Sequence, residues 1–70
     1  MRLYVNDEEV NLNKENGADT LLSVLNDLGI ENQKGIAIAI NNEVISRINW
    51  NAHKINENDK ILIIKATQGG

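Results

Sequence analysis

Apolar and polar residues alternate with period two near the start of the chain, a helical spacing occurs once after them, and the last strand is a continuous apolar run. Leu3 and Val5 alternate with Arg2, Tyr4 and Asn6. The polar run Asn6-Asp7-Glu8-Glu9 has turn chemistry, and Val10 and Leu12 resume the alternation. Residues 2–12 therefore predict a β-hairpin. Residues 13–17 are polar and loop-like. Leu21, Leu25 and Leu28 then fall on one face of a helix with Leu22 beside it; Asp19 or Thr20 can cap its first free N–H groups, and Gly29 can end it. This predicts one helix of about two and a half turns, too short to stand alone and so obliged to bury its leucines on a sheet.

Ile36-Ala37-Ile38-Ala39-Ile40 is the clearest strand, with isoleucine on one face and alanine on the other. Asn41-Asn42 is a turn signal because Asn tolerates positive φ, and Glu43-Val44-Ile45 forms a short return strand. Residues 46–57 have no clean period, and Trp50 is their obvious anchor. Asn58-Asp59 turns the chain into a last strand from Lys60 that carries Ile61-Leu62-Ile63-Ile64. The predicted order is β, β, α, β, β, β, an α+β fold. Its most apolar strand belongs at the sheet centre beside the first strand, parallel to it, with the helix in the crossover. That is the ubiquitin-like β-grasp arrangement: a mixed sheet of four to five strands packed on one helix. Period two then directs Leu3, Val5, Ile36, Ile38, Ile40, Ile61 and Ile63 at the helix. Leu62, Ile64 and Ala66 share the opposite face with Tyr4, Ala37 and Ala39, and an open apolar face of this kind is a candidate protein-binding patch. The expected division is a β-grasp domain over residues 1–67 and a flexible Gly-Gly tail over residues 68–70.

Seventy residues leave no room for a separate catalytic domain. Without Cys there is no disulfide, thiolate nucleophile or Cys-based metal site, and no apolar run approaches a membrane span, so a reduced cytoplasm is the expected location. Ten acids against seven bases, with no basic cluster, argue against nucleic acid and favour a positively charged partner. Twelve Asn and no Pro stand out; the Asn are spread along the chain and read as a compositional habit.

Chemistry concentrates at the end, Lys65-Ala66-Thr67-Gln68-Gly69-Gly70. Glycines lack a Cβ, so such an end can pass a narrow channel and present an unhindered α-carboxylate. With a pKa of about 3.3 to 3.7 that group is ionised at neutral pH and is a poor electrophile until activated. Extended, the segment from Lys65 spans roughly 20 Å, enough to lead from a folded body to a buried reaction centre. Read as a substrate, Gly70 would be the residue modified and Gly69 and Gln68 would thread the channel; taken alone, a Gly-Gly end is more often a frayed terminus or a cloning remnant.

The sequence resembles the sulfur carrier family of thiamine biosynthesis, ThiS, from the first strand to the last residue. The similarity is densest in Ala39-Ile40-Asn41-Asn42-Glu43-Val44-Ile45, in Arg47 with Trp50, in Asn58-Asp59-Lys60-Ile61-Leu62-Ile63 and in Gly69-Gly70. Ser46 stands where the family often has Pro, and Asn58 where it often has Gly. The resemblance implies a carrier whose C-terminal carboxylate is adenylated with ATP by a ubiquitin-activating-like adenylyltransferase of the ThiF type. The end is then converted to a thiocarboxylate through a sulfur donor system and used by a thiazole synthase of the ThiG type. The carrier would hold no cofactor of its own, since the ATP belongs to its partner. Gly-Gly ends also occur in ubiquitin-like modifiers and in the small subunit of molybdopterin synthase, which leaves those two uses as alternatives.

The remaining polar residues suggest no catalysis of the chain's own. His53 is the single imidazole, with no paired carboxylate at ligand spacing, and reads as a surface or loop residue. Trp50 reads as core or interface filler, and Asp7, Glu8 and Glu9 as a solvated turn. There is no nucleophile with an adjacent base and no glycine-rich phosphate loop.

Overall fold

The computed structural model describes residues 1–30 and 34–65. Five strands and one helix follow in the order β1 (Arg2–Val5), β2 (Glu8–Asn11), α1 (Leu21–Asp27), β3 (Ile36–Ile40), β4 (Glu43–Ile45) and β5 (Lys60–Lys65), with a single 3-10 turn over Arg47–Asn49 before β5. The sheet order is β2-β1-β5-β3-β4. β5 lies at the centre, parallel to β1 (Tyr4 opposite Lys60) and antiparallel to β3 (Ala39 opposite Leu62). The mixed sheet on one helix has the expected ubiquitin-like β-grasp form. The expected domain boundary at 67/68 lies outside the described residues.

Both hairpins close on two residues with positive φ: Asn6 (50°) and Asp7 (70°) between β1 and β2, and Asn41 (50°) and Asn42 (72°) between β3 and β4. These are the left-handed pairs whose twist matches flanking strands. Asn58 takes a φ of 68°, the conformation a Gly would supply there. Among the described residues four Asn thus hold left-handed positions, and at these four the residue has a backbone role beyond compositional habit.

The helix has seven residues, about two turns, shorter than expected. Of the two candidate caps Thr20 serves: its Oγ1 accepts the Ser23 N–H at 3.2 Å. Asp19 lies instead 3.7 Å from the Lys14 Nζ, which is 2.7 Å from Asp27 Oδ2. The hydrogen bond to Asp27 is the main reason the Lys14 ammonium is held above the usual lysine range; desolvation opposes it, and the Asp19 charge adds to it. At the other end Gly29, with φ +75°, donates to Asn26 O and the Ile30 N–H donates to Leu25 O, the double closure that Gly allows.

Leu3, Leu21, Val24, Leu25, Ile38, Ile55 and Ile61 are fully buried, with Ile36, Ile40, Ile45 and Trp50 completing the core. Val24 replaces Leu28 as the third buried residue of the helix face; Leu28 and Leu22 are half-buried. Leu28 is the C-cap, beyond the last helical residue Asp27, so the buried face of the helix ends at Leu25. Val5 and Ile63 face the helix as expected but are only half-buried. The aperiodic stretch after β4 contributes Trp50 and Ile55. The Trp50 indole N–H donates to Ile45 O at 3.0 Å, while the Arg47 guanidinium lies 4.5 Å from the ring centroid. Ser46 has φ −58°, within the range that proline adopts.

Candidate functional site

Sheet register decides what the side away from α1 presents. Ala39 pairs with Leu62 on one side and Val44 on the other, and Ala37 pairs with Ile64. Paired residues point to the same face, so Leu62, Ile64, Val44, Ala37 and Ala39 lie together, with Tyr4 beside Lys60 on the next strand. Leu62 is 48% exposed, Ile64 46% and Val44 69%. Ala37 is exposed and Tyr4 half-buried. Ala39 is different: it is 6% exposed, because its methyl group lies on the central strands between two larger cross-strand neighbours. It is the floor of the patch. Ala66, Gln68, Gly69 and Gly70 lie outside the described residues.

Val44 was not singled out in the sequence. The two-residue turn at Asn41-Asn42 forces Ile40 opposite Glu43 and therefore Ala39 opposite Val44, so counting back from the turn would have found it. Ile48, in the 3-10 turn, is 89% exposed and was equally passed over, for want of any period in that stretch. A shallow cleft of about 210 Å³ adjoins the apolar patch, bordered by Tyr4, Asn6, Asn42, Lys60 and Leu62 over Ala39. The open face thus combines apolar side chains with a polar rim, a mixture typical of protein contact surfaces.

Three loop side chains, Asp59, Asn41 and Asn6, hold β5 in place. Asp59, 7% exposed, accepts the Asn41 side-chain amide at 2.9 Å and the Asn56 N–H at 2.8 Å. Asn41 Oδ1 in turn accepts the Lys60 N–H at 3.0 Å. The burial of Asp59 was not legible in the sequence, where Asn58-Asp59 reads only as a turn. Asn6 acts further along β5. The β1–β5 pairing ends near Val5, and Asn6 Oδ1 then accepts the Ile63 N–H at 2.8 Å, adding one rung from a side chain. Asn6→Gly keeps the left-handed turn and deletes this rung alone. Amide exchange at Ile63 is expected to accelerate roughly two- to tenfold, the effect of one lost hydrogen bond, with Ile61 unchanged. Unchanged protection at Ile63 would show that the side-chain rung does not hold the strand.

His53 is half-buried, and its backbone carbonyl accepts the Leu21 N–H at 2.8 Å. Among the described residues no three His, Asp or Glu side chains stand close enough to hold a metal ion. Nor is any helix among them long and apolar enough to cross a membrane. Asp7, Glu8 and Glu9 are exposed, but only Asp7 lies in the turn; Glu8 and Glu9 open β2, a correction to their reading as a solvated turn.

The fold and the open face define a ubiquitin-like β-grasp protein, and similarity to solved structures agrees. The chain superimposes with a TM-score of 0.84 on the crystal structure of the thiamine biosynthesis protein ThiS from Geobacter metallireducens, at 20% identity and 100% coverage of both chains. The solution structure of a thiamine biosynthesis protein from the same organism gives a TM-score of 0.75 at 20% identity, covering 100% of this chain and 88% of that one. No curated protein sequence matches the chain. The model of the ThiS family matches residues 2–70, and the chain belongs to that family of thiamine-biosynthesis sulfur carriers.

Proposed function

We propose that the chain carries sulfur on the α-carboxylate of Gly70 and presents it to its partners through the open face of the sheet. A ThiF-type adenylyltransferase joins a carboxylate oxygen to the α-phosphorus of ATP and releases pyrophosphate. A sulfur nucleophile from the donor system then attacks the carbonyl carbon and AMP leaves, so the end becomes a thiocarboxylate. A ThiG-type thiazole synthase accepts that sulfur. The chain itself contributes position: Gly69 and Gln68 thread the channel, and Leu62, Ile64, Ala37 and Tyr4, with Val44 added and Ala39 beneath them, form the docking face that continues towards Ala66. ATP is the partner's cofactor, and this chain is substrate in each step.

One observation carries this reading above the others. Within the central strand, Leu62 and Ile64 are about half exposed while Ile61 is buried, so the strand that leads to the Gly-Gly end also bears the apolar contact face. Docking and delivery then share one strand, so binding at its open face brings the start of the tail to the partner.

Intact-mass analysis tests the chemistry. Incubation with the adenylyltransferase, ATP and a sulfur donor is expected to raise the mass by the difference between sulfur and oxygen. Deletion of Gly70 should abolish the gain and leave the melting curve unchanged. Gly69→Ala should slow it markedly without abolishing it, because a methyl group must enter a channel shaped for bare backbone. Sulfur uptake by the chain lacking Gly70 would overturn the reading, and a mass gain from linkage to a lysine would favour a ubiquitin-like modifier instead.

A further inference from the structure

The loop before α1 and the loop before β5 are fastened together by a pair of bonds at the dipeptide Asn16-Gly17. Asn16 Oδ1 accepts the Glu57 N–H at 2.6 Å, and the Gly17 N–H donates to Ile55 O at 2.8 Å. Each residue is suited to its place. Gly17 has φ +74°, and a Cβ there would meet Asn56 Oδ1 at 3.3 Å. Asn16 supplies a neutral acceptor of the length that reaches Glu57, across 41 positions of sequence. The fold therefore retains the chain's single Asn-Gly pair, which is also its most hydrolysable dipeptide.

The chemistry of that pair is intramolecular. The Gly nitrogen, having lost its proton, attacks the side-chain carbonyl carbon of the preceding Asn, a five-membered succinimide closes, and the side-chain nitrogen leaves as ammonia. Water then opens the ring to aspartate or isoaspartate. The attack needs a free glycine N–H to deprotonate and an Asn side chain free to swing over the backbone. In the folded protein the N–H is committed to Ile55 O and the side-chain oxygen to the Glu57 N–H.

We propose that Asn16 is a deamidation site gated by this clasp, reacting when the two loops part and staying intact while they are joined. The product records the opening irreversibly. Isoaspartate inserts an extra carbon into the backbone and moves Gly17 out of register with Ile55. Aspartate places a new charge beside Glu57, whose carboxylate already accepts the Arg2 N–H at 2.9 Å. Isoaspartate therefore hinders reclosure, whereas aspartate keeps an oxygen that can still accept the Glu57 N–H. This inference is independent of the sulfur chemistry at Gly70.

Conversion of Asn16 is followed by peptide mass analysis of the full chain in mildly alkaline buffer, with and without urea. The folded protein is expected to react at least about tenfold more slowly than the unfolded one, since reaction is confined to the opened fraction. Equal rates would overturn the proposal. Two variants isolate the clasp. Glu57 is the second residue of a turn whose third, Asn58, has φ 68°, and that second position accepts proline. Glu57→Pro deletes the N–H that holds Asn16, whereas Glu57→Ala removes the carboxylate and keeps it. Compared equally far below their melting temperatures, Glu57→Pro should deamidate on the order of two- to tenfold faster than Glu57→Ala. If it does not, the Asn16 to Glu57 bond is not the gate.

Discussion

Ile61→Lys is expected to unfold the protein, while the same change one residue on, Leu62→Lys, leaves it folded and deprives it of its partner. Ile61 is 2% exposed and pairs with Val5 and Ile40 on the helix-facing side of the central strand. A lysine there leaves an unpaired ammonium in the core, a loss of several kcal/mol against the roughly 3 to 5 kcal/mol that a core of this size supplies. Leu62 points the other way and is already about half in water. Its loss removes about 1 kcal/mol of burial, and the lysine stem restores part of that cover. Urea melts of the two variants check the stability contrast. Capture by the adenylyltransferase checks the proposed docking face, with Leu62→Lys expected to weaken it about tenfold or more, as for a residue central to an interface. A folded Ile61→Lys protein would mean that the faces of β5 are inverted.

Leu25→Ala is expected to leave the chain largely unfolded without denaturant. Leu25 is fully buried, and its carbonyl accepts the Ile30 N–H that closes the helix end. Truncating a buried leucine costs about 2 to 5 kcal/mol, and a two-turn helix contributes little stability of its own. Circular dichroism in water, compared with Leu28→Ala, separates the two positions. The half-buried Leu28 should lose about half as much or less. Equal losses would move the helix face back towards Leu28, where sequence spacing first put it.

Helix position explains that difference. Leu21, Leu25 and Leu28 satisfy a helical period, but so do Leu21, Val24 and Leu25, and the period alone does not say where along the helix the sheet lies. The burial of Leu21, Val24 and Leu25 gives the answer in space. The same limit applied after β4. Trp50 was legible as an anchor by its size, whereas Ile55 sits in a loop with no periodicity and is buried only because the Thr20 and Lys54 segments bridge there.

Local chemistry was enough for the strands, the turns and the mixed sheet. Alternation separates Ile61 from Leu62, paired Asn-Asn and Asn-Asp residues specify the left-handed hairpins, and the most apolar strand belongs at the centre because it has two neighbours to pair with. Gly69-Gly70 and the family pattern were equally a matter of sequence. Tertiary structure decided what depends on neighbours from distant parts of the chain: the burial of Ala39 between Leu62 and Val44, the addition of Val44 to the open face, the burial of Asp59 against Asn41, and the clasp of Asn16 on Glu57. Each is set by register or by contact across many residues, and exposure is a property of the neighbours as much as of the residue itself.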